Sequence, residues 1–251
     1  SKPQYQFGFG PFAPGFKTIE YGDAEALAAA ITPNTAAFLV EPIQGERGIV
    51  RPPKGYLQTV AQICRERNVL LILDEIQTGL GRTGKFLACE HENVKPDVLI
   101  LGKALGGGLL PVSLFLSRRD VMNVFTPGDH GSTFGGNPLA ATVALEALNS
   151  LFDENLIQRS EELGDYLHQS LIEISSPLIK EIRGKGLFIG VELDSRYTQG
   201  RAIVLQLLEH GLLSYETHDT VIRLAPPLVI SKEQLDEALA ILKKVLLAKT
   251  A

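Results

Sequence analysis

Three short apolar runs dominate the pattern of hydrophobic and polar positions in the first half of the chain. They lie at residues 36–40, 69–73 and 98–101 and are rich in Val, Ile and Leu. Each is too short for a buried helix, a pattern typical of parallel strands covered on both faces. Residues 55–68 place apolar side chains at helical spacing between two of the runs. This alternation predicts an α/β fold with a mostly parallel sheet.

The pattern changes after residue 152, where charged and apolar positions mix more evenly. Five further elements are predicted, alternately helical and extended, at 153–174, 186–193, 199–210, 221–225 and 231–247. The run at 186–193 alternates as a half-exposed strand does. Such a mixture predicts a smaller α+β domain. We therefore divide the chain into a large domain over residues 1–152 and a C-terminal α+β domain over residues 153–251.

Charged groups follow the three apolar runs of the first half. Glu41 comes after the first run, Asp74 after the second and Lys103 shortly after the third. Ligands of open α/β sheets sit beyond the carboxyl ends of parallel strands, so these groups are expected to face one crevice. A Lys can form a Schiff base with a carbonyl, and an ionised Asp can hold a proton on a heteroaromatic nitrogen. From spacing alone, a solvated loop lysine is the alternative.

Composition narrows the possible partners. The chain has 251 residues with 45% hydrophobic content, which is ample for a core. Its net charge is −5 and no basic block is present, so nucleic acid and anionic membranes are poor candidate partners. No apolar run reaches the roughly 18 residues that span a bilayer. The two cysteines predict no disulfide framework, and neither they nor His91 have metal-ligand spacing.

Three segments resemble the signature of the class III pyridoxal-phosphate aminotransferases: Asp74–Gly79, Gly81–Gly84 and Gly102–Leu105. The resemblance implies the three-layer, mostly parallel sheet of the large domain of PLP-dependent transferases, with residues 1–152 as its later part. It also implies pyridoxal 5'-phosphate (PLP) as the cofactor. At the matching positions, Asp74 would pair with the pyridine nitrogen, Gln77 would lie near the ring 3-hydroxyl, and Lys103 would hold the cofactor covalently.

A Gly-rich loop leads into the apolar helix predicted at residues 139–152. Asn137 suits the N-cap and Pro138 the first helical position. Hydroxyls and backbone donors in such a loop can bind phosphate, although a capped helix without a ligand has the same pattern. The loop also resembles the family. The resemblance implies that Ser132 and Thr133 reach the cofactor phosphate of the partner subunit, and hence a homodimer with shared active sites.

Arg223 is a single charge inside the apolar run at 221–225. A buried Arg needs a carboxylate from the protein or from a ligand, so a salt bridge on an edge strand and a substrate contact both remain open. In the family, the matching Arg grips the carboxylate of the 2-oxo acid, and a Glu matching Glu46 masks it. Glu41, at a neighbouring strand end, is a further candidate for contact with the amino acid and 2-oxo acid substrates.

The chain as a whole, from the segment Gly8–Phe16 through Arg223–Ile230, resembles the ornithine aminotransferases within this class. The implied function is transfer of the δ-amino group of L-ornithine to 2-oxoglutarate, giving glutamate semialdehyde and glutamate. The alternatives are another ω-aminotransferase, acting on acetylornithine or 4-aminobutyrate, and a catalytically inactive truncated scaffold.

Family members also carry, upstream of the part seen here, a Gly-rich turn for the cofactor phosphate, an aromatic that stacks on the ring, and an Arg and a Tyr for the substrate. The chain is therefore expected to be a fragment that lacks part of the site and binds cofactor weakly or not at all by itself. The expected location is the cytoplasm of a bacterium or the mitochondrial matrix of a eukaryote, with no targeting signal in this chain.

Overall fold

The computed structural model describes residues 6–248, so the outermost residues of both predicted domains (1–5 and 249–251) lie outside it. The first part of the described chain contains α1 (Ala24–Ala30), β1 (Ala37–Val40), α2 (Tyr56–Glu66), β2 (Leu70–Asp74), β3 (Val98–Leu101), β4 (Leu114–Ser117), α3 (Arg119–Met122) and α4 (Pro138–Asp153), with short 3-10 turns at Ala88–Glu92 and Lys103–Gly106. The second part contains α5 (Leu156–Ile172), β5 (Ile179–Lys185), β6 (Phe188–Leu193), α6 (Gly200–Glu209), β7 (Tyr215–Thr217), β8 (Val221–Leu224) and α7 (Lys232–Leu247).

The first sheet is mixed and mostly parallel. Strands β1, β2 and β3 lie side by side and parallel in chain order, and β4 pairs with β3 antiparallel. Helix α2 connects β1 to β2, as parallel neighbours require a crossover. The register pairs Asp74, the last residue of β2, with Ile100 near the end of β3. The predicted α/β fold is confirmed, and the parallel strands end at one common edge.

The two faces of this sheet differ in how well the described residues cover them. Leu71 and Leu73 of β2 are buried in a cluster with apolar residues of α2. On the other face, Leu39 of β1 is 56% exposed. The expectation of strands covered on both faces is therefore wrong for this face of β1 within the described chain. Asp74 lies on the same open face, because Leu39 pairs with Ile72 and side chains alternate along a strand.

The second sheet is wholly antiparallel, with strand order β5-β6-β8-β7. The prediction of a half-exposed strand at 186–193 is wrong, because every residue of β6 except Glu192 is buried. Helices α5 and α7 supply much of the apolar cluster around this strand. In addition, Phe188 packs with Ile43 and Ile49 from the loop after β1. The loop that carries Glu46 therefore contacts the second sheet.

Local signals explain where the middle helices begin. The Asn137 side chain accepts a hydrogen bond from Ala140 N at 2.8 Å, and Pro138 is the first residue of α4, as predicted. The helix predicted at 153–174 begins only at Leu156, because Asn155 takes a left-handed conformation with φ 54° and separates it from α4. One large buried cluster draws on residues 19–94 and another on residues 163–246. The division into two domains stays a prediction.

Candidate active site

The structure brings two of the predicted site residues to neighbouring strand ends. Asp74 closes β2, and Lys103 lies two residues beyond the end of β3, the adjacent parallel strand. The half-buried Asp74 carboxylate accepts a hydrogen bond from Ile76 N at 3.0 Å. Lys103 is exposed, and among residues 6–248 it forms no salt bridge. A free amine and an accessible carboxylate thus share one edge of the sheet.

The backbone of Lys103 has a left-handed conformation with φ 47°. For a residue other than Gly this costs on the order of 1–3 kcal/mol, so the surrounding structure must hold it. The following turn does so: Leu105 is fully buried, and its N–H donates to Gly102 O at 3.1 Å. Strain of this kind clusters at functional sites. The conformation sets where the Lys103 side chain leaves the sheet edge.

Glu41 lies just after β1 and joins this charge cluster. Burial raises the pKa of the Glu41 carboxyl, and a hydrogen bond from Gly45 N at 3.2 Å opposes that rise. The negative charge of Asp74 raises the pKa further and the positive charge of Lys103 lowers it. Both groups are therefore within electrostatic range of Glu41. The Tyr21 hydroxyl, which donates to Glu41 O at 3.2 Å, fixes the backbone here.

Glu46 and Arg223 form an ion pair between the first half of the chain and the second sheet. Arg223 Nη1 lies 2.8 Å from Glu46 Oε1. The guanidinium carbon also lies 5.1 Å from the centre of the Tyr215 ring, within cation–π distance. The Arg223 side chain is 24% exposed and that of Glu46 60%. Arg223 is on β8, which lies between β6 and β7, so this is not an ion pair on an edge strand.

Gln77 lies beside this ion pair, on the turn that follows Asp74. Its Nε2 donates to Glu46 Oε1 at 3.4 Å, and its Oε1 accepts from Arg223 Nη1 at 3.4 Å. Gln77 thereby connects the ion pair to the strand end that carries Asp74. Six of the predicted residues, Glu41, Glu46, Asp74, Gln77, Lys103 and Arg223, thus form one region.

Ser132 and Thr133 are exposed in the loop before α4. Ser132 Oγ accepts a hydrogen bond from Gly135 N at 3.1 Å. Within the part of the chain that the structure describes, neither side chain forms a hydrogen bond with the other six predicted residues. A single copy of the chain does not join them to the sheet-edge cluster.

Glu75 was not among the predicted site residues. It anchors the turn after Asp74 from the interior of the protein. Its side chain is 1% exposed, and burial raises the pKa of its carboxyl. The carboxylate accepts from Ala88 N at 3.0 Å and Cys89 N at 2.8 Å, and also from the Thr78 hydroxyl. A signal was present: side chains alternate along an extended chain, so the residue after Asp74 points inward.

Arg82 is a second missed residue, in the Gly-rich segment after the turn. Its Nη1 donates to Leu187 O at 3.1 Å and to Pro226 O at 2.5 Å. Burial lowers the pKa of the guanidinium to about 10. These bonds connect the segment that follows the Asp74 turn to the second sheet. Pro226 lies three residues after Arg223 in the chain. No pattern in the sequence indicates such long-range backbone partners.

A comparison with protein families gives a match over residues 1–246 to the family described as aminotransferase class-III. The chain belongs to the class III aminotransferase family. Within residues 6–248, no helix is long and apolar enough to cross a membrane. The same residues contain no group of three or more His, Cys, Asp or Glu side chains suited to a metal ion.

Several relatives of this chain are named as ornithine aminotransferases. The ornithine aminotransferase of Bacillus subtilis is 60% identical over 246 residues, which are 98% of this chain and 61% of that protein. The chain thus spans about three fifths of the length of this curated relative. The ornithine aminotransferase 2 of Staphylococcus saprophyticus is 59% identical over 239 residues, covering 95% of this chain and 60% of that protein.

Solved structures of the family superpose closely on this chain. An ornithine aminotransferase from Toxoplasma gondii, described with partial occupancy of PLP at its active site, has a TM-score of 0.94 and 51% identity, covering 96% of this chain and 58% of that one. An acetylornithine aminotransferase from Elizabethkingia anophelis has a TM-score of 0.88 and 47% identity, covering 94% and 63%. The fold is that of these enzymes.

Proposed function

We propose that this class III aminotransferase transfers the δ-amino group of L-ornithine to 2-oxoglutarate, giving glutamate semialdehyde and glutamate, with PLP as cofactor. The observation that carries the proposal is the convergence of Asp74 and Lys103 at one sheet edge beside the Glu46–Arg223 ion pair. The names of relatives near 60% identity support ornithine as the amino donor.

The side chains at the sheet edge fit this cofactor. Asp74 offers a carboxylate on the open face, Lys103 an exposed amine, and Gln77 an amide that can donate and accept. Asp74 would hold a proton on the pyridine nitrogen, Gln77 would lie near the 3-hydroxyl, and Lys103 would hold the cofactor covalently. PLP supplies, when bound, an electron sink for the bond that breaks at the substrate carbon.

The further roles fall on the protein's own groups. Once the amino group of the substrate has displaced it from the cofactor, the Lys103 amine would take the proton from the substrate carbon and deliver it to the cofactor carbon. Ser132 and Thr133, which are exposed, would bind the cofactor phosphate of a partner subunit, so the active form is a homodimer with shared sites. The expected location is the bacterial cytoplasm or the mitochondrial matrix.

Glu46 and Arg223 would adapt one pocket to two unlike substrates. While they are paired, Arg223 is neutralised and the pocket accepts a donor that ends in an ammonium group. When a dicarboxylate such as 2-oxoglutarate enters, Arg223 would leave Glu46 and bind the incoming carboxylate. A guanidinium group can pair with a carboxylate through two parallel hydrogen bonds. Glu41, whose charge lies near Lys103, would contact the substrate on the opposite side.

The test uses the chain within its complete reading frame, supplied with PLP, L-ornithine and 2-oxoglutarate. Mass spectrometry should show glutamate and glutamate semialdehyde formed in equal amounts. Asp74→Ala should reduce turnover by roughly 10²–10⁴-fold, because the ring nitrogen then lacks its ionised partner. Near-normal turnover by Asp74→Ala would rule out the assignment of this residue.

A second donor is favoured by one observation, the structural likeness to an acetylornithine aminotransferase at 47% identity. Rates with ornithine, acetylornithine and 4-aminobutyrate at equal concentrations separate the candidates. Ornithine should give the highest kcat/KM. A higher kcat/KM with acetylornithine would show that acetylornithine is the preferred donor. The absence of turnover with each of the three substrates would favour an inactive scaffold.

A further inference from the structure

The Glu46–Arg223 ion pair has a third member, the side-chain amide of Gln77. The amide donates to Glu46 Oε1 and accepts from Arg223 Nη1, each at 3.4 Å, while the ion pair itself measures 2.8 Å. A neutral amide can serve both charges at once because it carries a donor and an acceptor. The three groups therefore form a closed triangle.

Two features of the fold set where the amide lies. Glycine at position 45 leaves space for it, because a Cβ atom there would lie 2.4 Å from Gln77 Oε1 and 2.6 Å from Gln77 Cδ and would displace the side chain. On the other side, the turn that carries Gln77 is anchored by the buried Glu75 through its bonds to Ala88 N and Cys89 N. The amide is thus placed by the fold.

We propose that Gln77 is a specificity-determining residue that holds Glu46 and Arg223 together and so sets how readily Arg223 is released to a carboxylate ligand. This goes beyond its expected contact with the cofactor. The consequence for substrate choice rests on the proposed function, whereas the effect on the ion pair does not.

The exposure of the pair explains why a third group matters. With Glu46 60% exposed, water screens its attraction to Arg223, and such pairs contribute little by themselves. Hydrogen bonds from Gln77 restrict both side chains to the paired geometry. Without the amide, Arg223 keeps Glu46 and the Tyr215 ring as its partners. The unpaired population should rise roughly two- to fivefold, the order of magnitude of one modest hydrogen bond.

Chemical modification of Arg223 measures this population directly and needs no cofactor. The protein, expressed within its complete reading frame and without added cofactor, is treated with phenylglyoxal, and the rate at each Arg is followed by peptide mass spectrometry. The variants are Gln77→Met, which keeps the side-chain length without the amide, Gln77→Ala, and Glu46→Gln. Gln62→Met is the matched control, since Gln62 is an exposed residue of α2 that donates to Glu66. The half-buried Arg82 reports on folding, because unfolding exposes it.

Both Gln77 variants should raise the Arg223 rate about two- to fivefold, Glu46→Gln should raise it at least as much, and Gln62→Met should leave it unchanged. Rates at Arg82 should stay low throughout. An unchanged Arg223 rate in both Gln77 variants, with Glu46→Gln accelerated, overturns the proposal. Equal rates in all variants also overturn it, since the triangle would then not protect Arg223 in solution.

A second measurement tests the consequence in the protein expressed within its complete reading frame. Gln77→Met should lower the KM for 2-oxoglutarate relative to the KM for ornithine by a similar factor, a split that a general loss of stability does not produce. Parallel changes in both KM values overturn the specificity role. A protein that modifies as expected but fails to transaminate ornithine would refute the proposed function and leave the triangle intact.

Discussion

The proposed catalytic pair, Asp74 and Lys103, and the proposed specificity pair, Glu46 and Arg223, are built in different ways. Asp74 and Lys103 sit at the ends of adjacent parallel strands, 29 positions apart, and the strand register fixes both. Glu46 and Arg223 are 177 positions apart, one in the loop after β1 and the other on β8 of the second sheet, and both are partly exposed. The first pair is rigid by construction, whereas the second can separate at little cost. The transamination that we propose, with two unlike substrates in one pocket, needs both properties.

Lys103→Ala should have the largest effect on the catalytic side of this comparison. Loss of the amine removes the base, so kcat with ornithine should fall by about 10²–10⁴-fold or more, while the unfolding midpoint changes little. Steady-state assays and urea unfolding measure the two quantities. Lys95→Ala, an exposed lysine before β3, is the control. Retention of a tenth of the wild-type kcat would contradict the role.

Glu75→Ala should show that the catalytic side depends on a rigid turn. Removal of the carboxylate leaves Ala88 N and Cys89 N without their acceptor, which should lower the free energy of unfolding by about 3 kcal/mol. Glu75→Gln, which keeps one acceptor oxygen, should lose less. Urea unfolding gives the values, with the exposed neighbour substitution Glu90→Ala as control. Equal stability of Glu75→Ala and wild type would exclude the anchoring role.

Arg223→Ala should break the specificity side while leaving the catalytic side intact. The KM for 2-oxoglutarate should rise about ten- to a hundredfold, because the carboxylate loses its guanidinium partner. The KM for ornithine should change far less. Arg201→Ala is the control, since Arg201 forms an exposed ion pair with Glu216 near β7. Equal increases in both KM values would show that Arg223 does not discriminate between the substrates.

Glu41→Gln should give the smallest effect, a change in the pH dependence of stability. Burial and Asp74 raise the pKa of the Glu41 carboxyl above its ordinary value of 4.5, so the folded protein binds this proton more tightly than the unfolded chain does. Wild-type stability relative to Glu41→Gln should therefore fall as the pH rises from the ordinary value through the raised pKa. Urea unfolding between about pH 4 and 7 covers this window. A difference that grows in the opposite direction would contradict the assigned shift.

Much of the fold could be predicted because its strands are strongly apolar. The run at residues 98–101 coincides with β3, and the element predicted at 231–247 coincides with α7 and its N-cap Ser231. Strands β4, β5 and β7 were not predicted, because β4 and β7 are short and β5 is rich in Lys, Arg and Glu. The burial of β6 was not predicted either, because the loop that packs against Phe188 comes from a distant part of the chain.

The residues of the candidate site also fall into two groups, those whose position could be predicted from apolar strands and those whose position could not. Asp74, Lys103 and Glu41 follow apolar strands, so their position at one edge follows from parallel-sheet geometry. The contact between Glu46 and Arg223 was implied only by the family resemblance, because no periodic pattern links a loop to a strand 177 positions away. The inward direction of Glu75 follows from the alternation of side chains after Asp74. Its hydrogen-bond partners and the Gln77 triangle depend instead on backbone turns whose direction the sequence does not encode in any simple period.

The central claim, that Lys103 and Asp74 serve one PLP ring, is tested most directly by locating the cofactor chemically. The protein in its complete reading frame is loaded with PLP, reduced with borohydride, digested and analysed by mass spectrometry. The account predicts a pyridoxyl group on Lys103, lost in Lys103→Ala and retained in Asp74→Asn with an altered absorption spectrum. A pyridoxyl group on another lysine, or a spectrum that Asp74→Asn leaves unchanged, would contradict it.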